Sequence, residues 1–316
     1  MPLWGMTIIK YVPDDVQERA ALHNHQPEAT RRAMAARAAS TGDVGSLTEI
    51  MLAFQLQSGK RVPDTTQRTY RAGVEHWAAW LGTRAASVLR PGPRAGSLYL
   101  ADSGVRGLSP ATIRVRVAAI RKLYAALRDS GLNTPDPFDG VRLPTDPTPS
   151  VEKHPPYTAE QIGALLTAAT DPGDRALILL CAHAGLRVQE ALGLQWRDVD
   201  TNSRTARIHG KGGKTRTVPL SGPTVAALGQ LGTDDFVLTV RAYTTAYDRL
   251  DRLAQAAGVP WRGFHAGRKH AGTELYKHVP LEHVQRLLGH ASPEDTLRYV
   301  QVPGDTTRTA IQHLWG

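Results

Sequence analysis

A proline-rich segment near the middle of the chain restricts its architecture more than any other feature. Five prolines fall within residues 143–156, LPTDPTPSVEKHPP. Proline fixes its φ angle and lacks a backbone N–H, so such a run cannot continue a helix or a central strand and favours a stiff linker. The 316 residues suit two domains of ordinary size. The boundaries predicted are an unassigned N-terminal extension at 1–45, a domain at 46–142, a linker at 143–156 and a second domain at 157–316.

Composition narrows the class of protein. Hydrophobic residues make up 41% of the chain, besides 29 glycines, which is typical of a folded protein and excludes disorder over most of its length. No uncharged apolar run approaches the roughly 20 residues of a membrane span. The first 15 residues lack the pattern of a secretory signal. The single cysteine, Cys181, excludes an internal disulfide. We expect a cytoplasmic protein without membrane contacts.

Charge points to a partner. The formal net charge is +9, and arginine outnumbers lysine by 30 to 8. Both halves of the chain are basic, which favours a polyanion that touches both, and the planar guanidinium suits phosphate. The alternative is a nucleotide bias, because a GC-rich genome also enriches a chain in Ala, Arg and Gly.

The first domain is predicted to be helical. Ser46 and Glu49 form a capping-box pattern at the start of one helix. A second helix over 66–81 carries apolar residues at helical spacing. A third begins at Ser109, followed by proline in the first turn, and runs to about residue 130.

Four basic residues share this third helix. Arg114, Arg121 and Arg128 recur every seven residues, and Lys122 lies beside them. They are the candidates for contacts with DNA from the first domain. The alternative is a solvated basic face without a ligand.

The second domain reads as helices around one hairpin. Thr158 and Gln161 cap a helix, Asp174 starts an apolar one, and GLRVQEALGLQWRDVD at 185–200 begins with a turn into a short helix. Strands at 205–208 and 215–220 flank the tip 209–214, which carries two lysines. Further helices are predicted near 224–231, 242–257, 267–277, 281–288, 292–300 and 306–314. The fold class is therefore mainly α with a small antiparallel sheet.

Six residues of the second domain stand out: Arg187, Lys211, His265, Arg268, His290 and Tyr299. Taken singly, each has an ordinary explanation, such as an arginine that pairs with Glu190 or lysines in a solvated turn. Together they suit phosphoryl transfer on DNA, with a nucleophile, two guanidinium clamps on the phosphate oxygens, an acid for the leaving oxygen and histidines that donate hydrogen bonds or carry the tyrosine proton. No carboxylate cluster for two metals is apparent in the sequence, which disfavours a metal-dependent nuclease.

In this order the six residues resemble the tyrosine recombinase or phage integrase family. The segments IHGKGGKTRTVPL, HAGRKHAGTELY and LLGHASPEDTLRYV are similar to its lysine hairpin, its His-x-x-Arg box and its final histidine and tyrosine, and LSPATIRVRVAAIRKLYAAL resembles its helical core-binding domain. The resemblance covers about 46–300. It implies a SAM-like core-binding domain and a catalytic domain that form a C-shaped clamp on DNA.

The resemblance also implies roles. Tyr299 would attack the scissile phosphate and form a 3′-phosphotyrosyl bond, while Arg187 and Arg268 stabilise the transition state with help from His265 and His290. Lys211 would be the general acid, with Lys214 as a rival on the same tip, and Glu190 would orient the site. No metal, ATP or other cofactor is implied. The family box commonly reads His-x-Leu-Arg-His, whereas this chain has Gly267 and Lys269 around Arg268.

The implied partners are double-stranded DNA with inverted-repeat sites and a homo- or hetero-tetramer that joins two sites near the nucleoid. The tail 306–316 carries Ile311, Leu314 and Trp315, which could dock in trans or fold back. Chromosome-dimer resolution, phage integration and transposon movement stay open. Two other functions compete with a recombinase: a type IB topoisomerase, and a DNA-binding protein that has lost catalysis.

Overall fold

The chain divides into two compact units, Met1–Pro147 and Thr148–Gly316. The structure is a computed structural model that describes residues 15–59, 61–146, 148, 150–210, 213–297 and 312. The division falls inside the proline-rich segment, in which Ser150–Lys153 forms one helical turn. The predicted combination of many helices with one small antiparallel sheet is confirmed. Within the described residues, no helix is both long and apolar enough to cross a membrane.

The first unit is built from helices. They are α1 (Val16–Asn24), α2 (Glu28–Thr41), α3 (Val44–Leu56), α4 (Asp64–Gly82), α5 (Ala95–Val105) and α6 (Pro110–Asp129). Ser109 caps α6 as predicted, because its hydroxyl accepts from the N–H of Thr112. The predicted cap at Ser46 is wrong. Asp43, three residues further upstream, caps α3 instead, since its carboxylate accepts from the N–H groups of Gly45 and Ser46.

The core of the first unit is aromatic and includes residues that the sequence left unassigned. The ring of Trp77 stacks on Trp80 at 5.3 Å and meets Tyr99 edge-on at 5.2 Å. Ala35 and Ala39 of α2 are fully buried in the same core. Part of the N-terminal extension is thus integral to this unit, because small side chains let α2 pack closely.

The basic residues of α6 have partners inside the unit. The three arginines donate to carbonyls of the chain that follows α6: Arg114 to Pro144 (3.0 Å), Arg121 to Phe138 (2.9 Å) and Arg128 to Thr134 (3.1 Å). The ammonium group of Lys122 lies 5.5 Å from the centre of the Phe54 ring. These contacts show that the arginines fasten a loop. The predicted DNA contacts of the four residues stay a prediction.

In the second unit, several other helices pack around one strongly apolar helix. Its helices are α7 (Ser150–Lys153), α8 (Ala159–Ala168), α9 (Pro172–Ala182), α10 (Val188–Leu192), α11 (Gly222–Leu228), α12 (Tyr243–Ala256), α13 (Phe264–Tyr276), α14 (Leu281–Leu288) and α15 (Pro293–Leu297). Residues 176–182 of α9 are buried on every face. The predicted start at Asp174 is wrong, because the side chain of Asp171 caps the helix by accepting from the Asp174 N–H. The capping box of Thr158 and Gln161 is confirmed.

The predicted hairpin is confirmed and belongs to a sheet of three strands. They are β1 (Val199–Asp200), β2 (Thr205–His209) and β3 (Thr215–Pro219), in the order β1-β2-β3. Ala206 pairs with Val218 and Ile208 with Arg216 across the antiparallel hairpin. This register places Arg216 on the face of the strand that carries buried Val218, because side chains alternate along a strand.

Several predictions fall outside the described residues. They concern Lys211 at the hairpin tip, Tyr299, and the tail residues Ile311, Leu314 and Trp315. The predicted helix over 292–300 is described as far as Leu297.

Candidate active site

The first arginine segment folds around one carboxylate. Gly185 adopts a φ of +65° that turns the chain out of α9. Arg187 then caps α10, and Glu190 in the first turn reaches back to it. The carboxylate of Glu190 accepts from the backbone N–H of Arg187 at 2.8 Å and from its Nη1 at 3.0 Å. The guanidinium of Arg187 is therefore held at one end, while 45% of its side chain is exposed.

A second arginine occupies the same carboxylate more completely. Nη1 and Nη2 of Arg216 donate to the two oxygens of Glu190 at 2.9 and 2.8 Å. Nε of Arg216 donates to the carbonyl of Leu287 at the end of α14, at 2.9 Å. Burial by itself raises the pKa of Glu190, but the hydrogen bonds from Arg216 and Arg187 outweigh it and lower that pKa to about 2. Glu190 is therefore ionised at neutral pH.

Arg268 is the buried centre of the site. It lies on α13, fully shielded from solvent, and donates to the carbonyls of Gly185 and Leu288. Its Nη1 lies 3.9 Å from the Glu190 carboxylate. A buried guanidinium requires such partners, since desolvation without them costs several kcal/mol. Arg268 therefore joins the turn before α10 to the end of α14.

His290 follows α14 and touches Arg268. Nη2 of Arg268 lies 3.1 Å from Nε2 of His290, and the Nδ1 of His290 lies 3.1 Å from the hydroxyl of Thr296. A guanidinium has no acceptor, so Nε2 must accept and Nδ1 must carry the proton toward Thr296. Burial and the charges of Arg268 and Arg187 lower the pKa of His290 to about 4.

His265 lies one helical turn before Arg268 on α13. Loss of water around part of its ring, with the charges of Arg268 and Lys269, lowers the pKa of His265 to about 4. The two imidazoles are therefore neutral at pH 7, and the positive charge of this region comes from arginine and lysine.

An open cleft of about 700 Å³ lies in front of these groups. Its lining includes Arg187, Lys214, Arg216 and His290. Lys214, the rival for the acid, is placed there by the hairpin, where its carbonyl accepts from the N–H of Gly210 at 2.7 Å. A cleft with several cations around one carboxylate suits an anion such as a phosphate.

Comparison with known proteins matches both units to one family. Residues 157–304 match the phage integrase family and residues 53–131 match its N-terminal SAM-like domain. The chain is 31% identical to the tyrosine recombinase XerD of Mycobacterium leprae (strain TN) over 246 residues, which cover 68% of this chain and 75% of that protein. It is 30% identical to the tyrosine recombinase XerC of Mycobacterium bovis (strain BCG / Pasteur 1173P2) over 278 residues, covering 78% and 90%. The chain belongs to the tyrosine recombinases of the phage integrase family.

Solved structures agree on the fold. A crystal structure of the XerH site-specific recombinase bound to palindromic difH substrate has a TM-score of 0.66 at 18% identity, covering 96% of this chain and 98% of that one. A crystal structure of a lambda integrase dimer bound to a COC' core site has a TM-score of 0.63 at 16% identity, covering 78% and 74%. These likenesses show the architecture of a tyrosine recombinase.

In this tyrosine recombinase, the structure brings together four of the six residues that the sequence singled out. Arg187 and Arg268 lie at Glu190, His290 contacts Arg268, and His265 lies on the helix of Arg268. The other two, Lys211 and Tyr299, lie outside the described residues but inside the family match.

Gly267 and Lys269 depart from the usual His-x-Leu-Arg-His box, and the structure shows how both residues pack. Helix α13 begins at Phe264, three residues before the predicted start, so Gly267 lies within the helix. A Cβ added at Gly267 would lie 3.5 Å from the Cβ of Cys181 on α9, an ordinary contact. Lys269 is buried, and its Nζ donates to the carbonyl of His154 at 2.7 Å. The lysine thus fastens the end of the proline-rich segment to the helix that carries Arg268.

The sequence did not single out two residues of the site. Arg216 carried a signal. It lies two residues before apolar Val218 in β3, so both side chains are on the inner face of the strand, where an arginine needs a buried partner. Thr296 carried none, since a threonine in a short polar helix is common.

Proposed function

We propose that this recombinase cleaves and rejoins DNA at specific sites through a 3′-phosphotyrosyl bond to Tyr299, with Arg187 and Arg268 as the phosphate clamp. The observation that carries the proposal is the convergence of these two arginines, 81 positions apart in the chain, on Glu190 beside His290. A scissile phosphate gains negative charge on its non-bridging oxygens in the transition state, and preorganised guanidinium groups stabilise that charge.

In the proposed reaction, the phenol oxygen of Tyr299 bonds to phosphorus while the bond from phosphorus to the 5′ oxygen breaks. The proton of the phenol passes to His265, whose pKa rises when an anionic phosphate offsets the surrounding cations. The departing 5′ oxygen takes a proton from Lys211, or from Lys214 on the same hairpin. Religation reverses each transfer. The phosphotyrosyl bond keeps the energy of the broken linkage, so ATP is not required.

The proposed substrate is double-stranded DNA with inverted-repeat sites, bound by a homo- or hetero-tetramer. The net charge of +9 supports a polyanionic partner. The XerH structure with its palindromic substrate and the lambda integrase dimer on a core site support paired sites by analogy.

A covalent trap on DNA tests the proposal. The purified chain is mixed with fragmented DNA of the source genome, stopped with detergent, and the DNA joined to protein is sequenced, with Tyr299→Phe in parallel. We expect adducts at one or a few inverted-repeat sites that the variant lacks. Scattered adducts would indicate a topoisomerase. Tight binding with no adducts from either protein would indicate a DNA-binding protein without catalysis, and both results would overturn the proposal.

A further inference from the structure

Glu190 accepts hydrogen bonds from two arginines, and they do not share it equally. Arg216 uses both of its terminal nitrogens, one on each carboxylate oxygen, at 2.9 and 2.8 Å. Arg187 reaches the same carboxylate with Nη1 alone, at 3.0 Å. The bidentate pairing is the stronger of the two geometries, so Arg216 is the main side-chain partner of Glu190.

Arg216 is fixed in that place from the opposite side. Its Nε is bound to the Leu287 carbonyl, and only 13% of its side chain is exposed. Gly289, with a φ of +63°, makes room for it, because a Cβ there would lie 3.0 Å from the Cδ of Arg216. Arg187, with 45% of its side chain exposed, faces the open cleft instead.

We propose that Arg216 is a positioning residue that occupies Glu190 and thereby keeps the guanidinium of Arg187 available to the scissile phosphate. The proposal rests on the proposed function of the site. Without Arg216, the ionised carboxylate has Arg187 as its nearest mobile cation. Glu190 then takes both terminal nitrogens of Arg187 and turns them away from the cleft, so that an exposed anion ligand becomes a buried ion pair.

A merely structural role for Arg216 predicts a different outcome. If Arg216 only braces β3 against α14, its removal loosens the site, and a further loss of charge at Glu190 loosens it more. If Arg216 holds Glu190 away from Arg187, neutralising Glu190 removes the competitor and restores the clamp. The sign of the coupling between the two positions separates the two roles.

The first measurement is single-turnover cleavage of a nicked DNA substrate by Arg216→Ala, Glu190→Gln and the double variant. We expect Arg216→Ala to slow cleavage at least about tenfold, short of the roughly 100-fold loss of a whole phosphate donor. The double variant should regain a rate within about threefold of Glu190→Gln. A double variant as slow as Arg216→Ala, or slower, overturns the proposal.

Two further variants serve as controls for this measurement. Arg216→Lys keeps the charge but offers a single ammonium group, so it should fold and fall between wild type and Arg216→Ala. The matched control is Arg249→Ala, which removes an arginine that contacts Asp174 at 2.9 Å and Asp171 at 3.0 Å away from the cleft. We expect it to lower the melting temperature without changing the cleavage rate.

The second measurement needs no catalysis. Phenylglyoxal modifies accessible guanidinium groups, and mass spectrometry of the full chain without DNA gives the rate at Arg187. We expect slower modification of Arg187 in Arg216→Ala than in wild type, and the wild-type rate again in the double variant. A faster rate in Arg216→Ala indicates loosening and overturns the proposal. If wild type forms no DNA adduct, the proposed function fails, and these rates still decide the role of Arg216.

Discussion

Arg268 donates to Nε2 of His290 across 3.1 Å, and this contact fixes which nitrogen of the imidazole carries its proton. Nδ1 then points its N–H at the hydroxyl of Thr296, which is fully buried. The orientation of the histidine is therefore set by two neighbours, one on α13 and one on α15. The candidate active site of this recombinase is thus held by hydrogen bonds that join α13 to the segment after α14 and to α15.

Replacing Thr296 should disturb His290 without changing the shape of the site. Thr296→Val keeps the volume but removes the hydroxyl that faces Nδ1 of His290. One neutral hydrogen bond is worth about 1 kcal/mol, so we expect cleavage to slow roughly five- to tenfold. Nitrogen NMR shifts of His290 should show a change in tautomer. Thr296→Ser, which keeps the hydroxyl, is the control and should retain the wild-type tautomer; a Val variant with unchanged shifts would contradict the assignment.

Acid should destabilise the protein through its site histidines. The folded pKa values of His265 and His290 are about 4, below the ordinary 6.5 of the unfolded chain. The unfolded state then binds more protons between pH 6.5 and 4, so stability is lost as the pH falls through that window. Glu190, with a pKa of about 2, contributes a loss only below about pH 4.5.

Thermal melts between pH 7 and pH 4.5 test this expectation. The double variant His265→Asn, His290→Asn should show a shallower fall of melting temperature with pH than wild type. His278→Asn serves as the control, because His278 lies beyond the end of α13. A slope that the double variant leaves unchanged would assign the acid sensitivity to other groups.

Filling the gap at Gly267 should stabilise the second unit. A cavity of about 20 Å³ lies beside it, with Cys181 and Phe264 in its lining. Gly267→Ala adds a methyl group in ordinary contact with α9 and removes the cost of glycine inside a helix, which is about 1 kcal/mol. Denaturant unfolding should show a gain of about 0.5–1 kcal/mol.

Gly73 provides the opposite case in the first unit. A Cβ there would lie 2.7 Å from the Cβ of Ala119, which is too close. Gly73→Ala should therefore lower the free energy of unfolding, although both glycines lie inside helices. If both substitutions lower the free energy of unfolding, the inference that a methyl group fits at Gly267 is wrong.

Arg121 should matter for the stability of the first unit. It donates to the Phe138 carbonyl at 2.9 Å and lies 3.7 Å from Asp136. Arg121→Ala should cost about 1 kcal/mol of unfolding free energy, measured by chemical denaturation. The salt dependence of DNA affinity, measured on the same variant, tests its predicted DNA contact, which would lower the slope by about one charge. Unchanged stability would show that the loop does not depend on this arginine.

Features that depend on neighbours in sequence were predictable. Ser109 and Thr158 were identified as caps from their position before apolar helical patterns, and the hairpin from two strand-like runs around a glycine-rich tip. The predicted starts at Ser46 and Asp174 were wrong, because Asp43 and Asp171, each three residues further upstream, cap these helices. The order of six residues along the chain, with the segments around them, was enough to show the resemblance to the family.

The sequence by itself thus determined the helical class and the hairpin, and it singled out the residues predicted to bind phosphate. Only the tertiary structure decided which of these residues contact one another. Arg216 meets Glu190 across 26 positions and Leu287 across 71. Such contacts depend on which strand crosses which helix, and local periodicity carries no information about that. A buried carboxylate must be matched by whichever donors the fold brings to it, so the division of Glu190 between Arg216 and Arg187 is fixed by packing rather than by pattern.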